Sequence, residues 1–97
     1  MLTKQQILET LTEHANTLRQ YGVRRIGVFG SYLHGNVKET SDIDLLVEFR
    51  EKSFDNYMDL KFYLKDLFQR QVDLVPADSV KSRFRPVLGE VEYAAGF

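Results

Sequence analysis

The stretch Val28–Phe49, VFGSYLHGNVKETSDIDLLVEF, decides how the chain is read. It runs apolar through Val28 and Phe29, breaks at Gly30-Ser31, and crosses a polar loop. It then turns apolar again at Ile43, with Asp42 and Asp44 set into the rise. Side chains alternate between the two faces of a strand, so Asp42 and Asp44 share one face while Ile43 and Leu45 share the other. A strand that packs one face on helices can therefore present both carboxylates on the opposite face. Like charges held this close repel, and a bound cation relieves them. Hard divalent metals such as magnesium take oxygen ligands, often one or two carboxylates plus substrate phosphates.

Working outward, Arg24 to Phe29 reads as a short strand stopped by Gly30, and Ser31 to His34 is long enough for one helical turn. Upstream, Thr3 caps a helix running to about Gln20. Its apolar stripe is Ile7, Leu8, Leu11, Ala15 and Leu18, and Gly22 supplies a left-handed cap. Downstream of the second strand, Phe54 to Gln69 carries Tyr57, Leu60, Phe62, Leu64, Leu67 and Phe68, a helical pattern with a broad apolar face. Its aromatics Tyr57, Phe62, Tyr63 and Phe68 are expected in the core. Gln71 to Pro76 is a third strand, ended by the proline. From Asp78 onward the pattern suggests one turn, an interruption at Pro86 and a final helix through about Ala94. The order α-β-(turn)-β-α-β-α predicts an α/β fold of α+β type, a small mixed β-sheet covered by helices, in one domain over residues 1–97.

Composition narrows the function classes. With 97 residues, 43% hydrophobic and 28% charged, the chain has the make-up of a soluble globular domain. A net charge of −1 gives no reason to expect direct nucleic-acid or membrane binding. There is no cysteine, so disulfides and thiolate metal sites are excluded and any metal needs oxygen or imidazole ligands. No segment approaches the roughly 20 apolar residues that span a bilayer, and the N-terminus lacks the apolar run of a signal peptide. A cytoplasmic location is expected.

Asp73 repeats the theme of the first two aspartates, lying between Val72 and Leu74 in an otherwise apolar strand. If that strand lies beside the second one, Asp73 joins the same face. Three carboxylates around two cations would match the two-metal clamp of in-line phosphoryl or nucleotidyl displacement. Gly30-Ser31 supplies the complementary half, because glycine permits close backbone approach and a serine opening a helical turn offers donors to an anion. Phosphate at the turn and metal at the carboxylates would share one ligand, a nucleoside triphosphate.

The string GSYLHGNVKETSDIDLLV resembles the GS-(ten residues)-DxD signature of the polymerase-β-like nucleotidyltransferase superfamily, matched in spacing at Gly30, Ser31, Asp42 and Asp44. The segment VDLV with Asp73 resembles the strand that carries that superfamily's third carboxylate. The short length and the ending SRFRPVLGEVEYA look most like the minimal nucleotidyltransferases, the MNT proteins. The resemblance implies a nucleotidyltransferase-like core in which Gly30 and Ser31 hold the triphosphate. Asp42, Asp44 and Asp73 would bind metal, two Mg2+ ions with Mn2+ as a substitute, and Asp73 would also activate the attacking hydroxyl. It further implies ATP as substrate and, as partner, a HEPN-type ribonuclease toxin that receives AMP on a tyrosine. Where many relatives carry basic residues after Gly-Ser, this chain has Tyr32 and His34.

Two other function classes stay open at this point. One is a non-catalytic antitoxin that neutralises its toxin by binding, and the other is a nucleotide-binding regulatory subunit. Three retained carboxylates speak for the enzyme. His14 reads as a surface residue. Lys81, Arg83 and Arg85 form a basic cluster that reads as a solvated face, with a triphosphate or an acidic partner as the functional alternative.

Overall fold

The first helix begins where a threonine can close it. In the computed structural model, which describes residues 3–29, 42–50, 54–77 and 91–97, the Thr3 hydroxyl accepts from the Gln6 amide at 3.1 Å. The Gln6 side chain accepts from the Thr3 amide at 2.9 Å, forming a reciprocal capping box. Helix α1 spans Lys4–Glu13 and α2 spans Ala15–Gln20. One continuous helix was the expectation; His14, at φ −100° and ψ 16°, divides it. The apolar stripe survives the break, with Ile7, Leu11, Ala15 and Leu18 all buried. His14 is half-buried rather than a surface residue, because its Nδ1 meets the Tyr63 hydroxyl at 3.0 Å. Gly22 ends the pair at φ 87°, the left-handed cap that its position predicts, with its amide on the Arg19 carbonyl at 2.9 Å.

Four strands follow: β1 (Val23–Phe29), β2 (Ile43–Phe49), β3 (Val72–Pro76) and the short β4 (Glu92–Tyr93), with helix α3 (Phe54–Phe68) between β2 and β3. The sheet order is β3-β2-β1-β4; β2 and β3 run parallel, and β1 is antiparallel to both β2 and β4. This is the mixed sheet that the sequence predicts. Parallel neighbours cannot be joined by a tight hairpin, and α3 provides the crossover.

The three helices among the described residues feed one core. Ile26 and Val28 of β1, Ile43, Leu45 and Val47 of β2, and Val72 and Leu74 of β3 alternate onto one sheet face. There they meet Ile7, Leu11, Leu18, Leu60, Leu64 and Phe68. A residue such as Leu64, 0% exposed, is held by this layer, and truncation to alanine there costs about 2–5 kcal/mol. Phe62 departs from the expectation that it joins the core: it is 60% exposed. At about 100° per residue it stands roughly 200° around the helix from Leu60, and in a two-layer fold only one side of α3 meets the sheet.

The expected final helix through Ala94 is corrected at its end, since Glu92 and Tyr93 form β4 instead. The open edge of β1 offers backbone groups that need partners, and the Ala94 amide takes the Ile26 carbonyl at 2.9 Å. That tertiary demand overrides the helix propensity of the Glu- and Ala-rich tail. The turn expected at Ser31 to His34, the break at Pro86 and the start of the predicted final helix lie outside the described residues. No helix among the described residues is long and apolar enough to cross a membrane.

Candidate active site

The face of the sheet turned away from the core carries the aspartates. Asp42 immediately precedes β2 and is exposed; Asp44 is the second residue of β2 and half-buried; Asp73 is the second residue of β3 and exposed. The parallel register pairs Ile43 with Val72, Asp44 with Asp73 and Leu45 with Leu74. The Ile43 amide donates to the Gln71 carbonyl at 3.0 Å, which fixes this register at its first rung. Asp44 and Asp73 are therefore direct neighbours on strands about 4.8 Å apart, with Asp42 in phase two residues along.

The arrangement is enforced by the other face. Ile43, Leu45, Val72 and Leu74 are each no more than 4% exposed, so a one-residue slip would turn apolar residues out and aspartates in. On the other side of β2, Asp44 pairs with Phe29, the last residue of β1. Gly30 is bonded to Phe29; both Gly30 and Ser31 lie outside the described residues, as do Tyr32, His34, Lys81, Arg83 and Arg85.

Among the described residues no three His, Asp or Glu side chains converge closely enough to hold a metal ion by themselves. The donor set nonetheless suits magnesium, which is commonly held by one or two carboxylates while substrate phosphates and waters complete its shell. A pair of facing carboxylates with a third in phase is an open, oxygen-only site that such a shared shell fits.

Sequence reasoning placed Tyr57 in the core and missed its hydroxyl. The ring packs half-buried against the core, and the hydroxyl donates to the Leu74 carbonyl at 2.6 Å, one residue from Asp73. Burial first, and the negative charge of Asp73 second, push the phenol above its ordinary pKa. A signal was present in the sequence, because a tyrosine rather than a phenylalanine on an apolar stripe has a hydroxyl that must find a partner.

A second cluster occupies the far end of the same face. The Arg25 guanidinium meets Glu48 at 2.7 Å and stacks 4.5 Å over the Tyr93 ring, and Arg24 lies 3.6 Å from Glu48. The Glu48 hydrogen bond, and then Tyr93, raise the Arg25 pKa further above its ordinary value. Gly27 makes this packing possible: a Cβ there would lie 2.6 Å from Val91 Cγ1 and 2.8 Å from the Glu92 carbonyl oxygen. A groove of about 500 Å3 runs between α1 and β4, and none of the three aspartates lines it.

The nucleotidyltransferase domain family matches residues 11–92. The protein adenylyltransferase MntA of Thermococcus cleftensis is 48% identical over 96 residues, spanning 96% of this chain and 97% of its own. A solved structure of a chain classed as a minimal nucleotidyltransferase superposes with a TM-score of 0.72 at 35% identity, covering 88% of this chain and 93% of that one. An MNT antitoxin in complex with a tri-AMPylated HEPN toxin of Shewanella oneidensis gives a TM-score of 0.64 over 93% of this chain and 73% of the matched one. At 21% identity it speaks to the fold alone. With the domain match covering most of its length and near-half identity from end to end, the chain belongs to the nucleotidyltransferase family, as a homologue of the MntA protein adenylyltransferases.

Proposed function

We propose that this chain is a protein adenylyltransferase antitoxin that moves AMP from ATP onto a hydroxyl, a tyrosine by preference, of a cognate HEPN-type ribonuclease toxin in the cytoplasm. The observation that carries the reading is the register of β2 and β3, which sets Asp44 opposite Asp73 with Asp42 in phase, on the face the core does not use. The MntA relative is named for this activity, and the Shewanella oneidensis complex carries AMP on its toxin.

In this proposal Asp42, Asp44 and Asp73 hold Mg2+, or Mn2+ in its place. Bound there, the metal neutralises charge on the phosphates and on the departing diphosphate. Gly30 and Ser31 offer donors to the triphosphate, a role favoured by the pairing of Phe29, the residue bonded to Gly30, with Asp44. Asp73, exposed at the edge strand, faces the incoming acceptor and takes its proton. The acceptor oxygen then bonds to the α-phosphorus, the bond from that phosphorus to the bridging oxygen breaks, and diphosphate leaves with the electron pair.

The test is the intact mass of the co-expressed toxin. Wild type should add one or more AMP units, while Asp42→Asn and Asp44→Asn should add none and should lose metal-dependent ATP binding in calorimetry with little change in fold. Full neutralisation of the toxin with no mass shift would overturn the enzymatic reading in favour of a binding module.

A further inference from the structure

The third carboxylate stands on an edge strand of the sheet. Among the described strands β3 lies at the edge of the sheet, with β2 as its neighbour. The bond from the Ile43 amide to the Gln71 carbonyl shows that residue 71 turns its backbone groups toward β2. Backbone direction alternates along a strand, so residues 73 and 75 turn the same way, and Val72 and Leu74 turn their carbonyls off the edge. The Tyr57 hydroxyl, arriving from α3, meets the Leu74 carbonyl there at 2.6 Å.

The geometry points to Tyr57 as a positioning residue for Asp73: its hydroxyl ties the open edge of β3 to α3 and so keeps that carboxylate opposite Asp44. Three observations support this role. The bond lands on the residue next to Asp73, and the Leu74 side chain is itself locked in the core at 2% exposure, so the tether restrains the backbone from both sides. The hydroxyl bonds to the backbone, which leaves the Asp73 carboxylate oxygens to metal and proton. The charge of Asp73 is felt at the phenol, which places the two groups in one local environment. Reacting groups displaced by about 1 Å can lose on the order of a hundredfold in rate, so even a small shift of this edge is felt at the acceptor.

The inference rests on the adenylyl-transfer reading, and its test separates the two. Tyr57→Phe keeps the ring and removes the tether. Tyr63→Phe removes a hydroxyl from the same helix, one that bonds His14 at 3.0 Å away from the carboxylates, and serves as the matched control. Two measurements apply: kcat and KM for ATP in transfer to the toxin, and Mn2+ uptake in the presence of a non-hydrolysable ATP analogue, followed by electron paramagnetic resonance. Tyr57→Phe should lower kcat and weaken Mn2+ uptake roughly two- to tenfold, the range that one net hydrogen bond controls, with KM for ATP unchanged. Tyr63→Phe should do neither, even where its melting temperature falls as much. Wild-type kcat and Mn2+ uptake in Tyr57→Phe, or an equal loss in Tyr63→Phe, would overturn the assignment. If wild type itself transfers no AMP, the adenylyl-transfer reading fails, and the Mn2+ measurement alone decides the role of Tyr57.

Discussion

Replacing Asp73 by asparagine should push stability and activity in opposite directions. The register sets Asp73 directly opposite Asp44, so in the absence of metal two like charges share one rung of the sheet. Like charges directly opposite across strands destabilise by roughly 0.2–1 kcal/mol. Asp73 is exposed, so water screens the pair and the lower half of that range applies. For a domain of this size each kcal/mol moves the melting temperature by about 4–8 °C. Asp73→Asn should therefore melt roughly 1–5 °C above wild type in EDTA at low salt. The gain should shrink at about 1 M salt, where the screening length falls to about 3 Å.

The same substitution should leave much of ATP binding intact and abolish AMP transfer, because an amide is a poor base and a poor metal ligand. Scanning calorimetry in EDTA, repeated with magnesium and a non-hydrolysable ATP analogue, gives the stability half. The intact mass of the co-expressed toxin gives the activity half. A variant that melts lower than wild type in EDTA would mean that Asp73 serves the fold. A variant that still transfers AMP would mean that another group takes the proton.

Three further outcomes are expected. Gly27→Ala places a Cβ 2.8 Å from a backbone oxygen of β4 that cannot rotate away; it should cost about 1–3 kcal/mol and remove hydrogen-exchange protection of the Ala94 amide, while transfer at 25 °C persists. Ser31→Ala should weaken ATP binding roughly ten- to a hundredfold by calorimetry, the worth of a hydrogen bond to a charged group, with the melting temperature unchanged. Because the Tyr57 phenol is raised in the folded chain, its contribution is full below the ordinary tyrosine pKa of about 10, where both states are protonated. It is lost as pH rises through the folded value, since the unfolded chain ionises first. Urea midpoints should fall more steeply between about pH 9 and pH 11 for wild type than for Tyr57→Phe.

The parts of the fold written in local code were legible. Thr3 with Gln6, Gly22, and the two-residue alternation around Asp42 and Asp44 each depend on neighbours within a few residues, and each stands as the sequence implies. The placement of Asp73 beside Asp44 depends on one condition, that β3 lies beside β2, and the sheet meets it. What escaped was set by partners far along the chain. The tail became β4 because Ile26 offered a carbonyl to Ala94. His14 became half-buried because Tyr63 faced it across two helices. Gly27 carried a faint signal as a glycine inside a strand, which often marks close backbone approach, but nothing local named β4 as what approaches.

Burial explains why the aspartates sit at the start of a core strand rather than further along it. The in-phase positions on β2 run from exposed Asp42 through half-buried Asp44 to Leu46, which is 1% exposed even though it faces away from the main core. A carboxylate at position 46 would be stripped of water with no partner supplied by the strand, at a penalty of several kcal/mol per ion. On β3 the gradient begins at the same end, from exposed Asp73 to half-buried Val75. The beginnings of these two parallel strands are thus where charge can be gathered while the alternate residues still bury fully. The proposed three-carboxylate site is confined there, and the pairing of Phe29 with Asp44 brings the end of β1 beside it. The spacing between Gly30-Ser31 and Asp42-x-Asp44 is then the length of chain that returns from the end of one strand to the start of its neighbour.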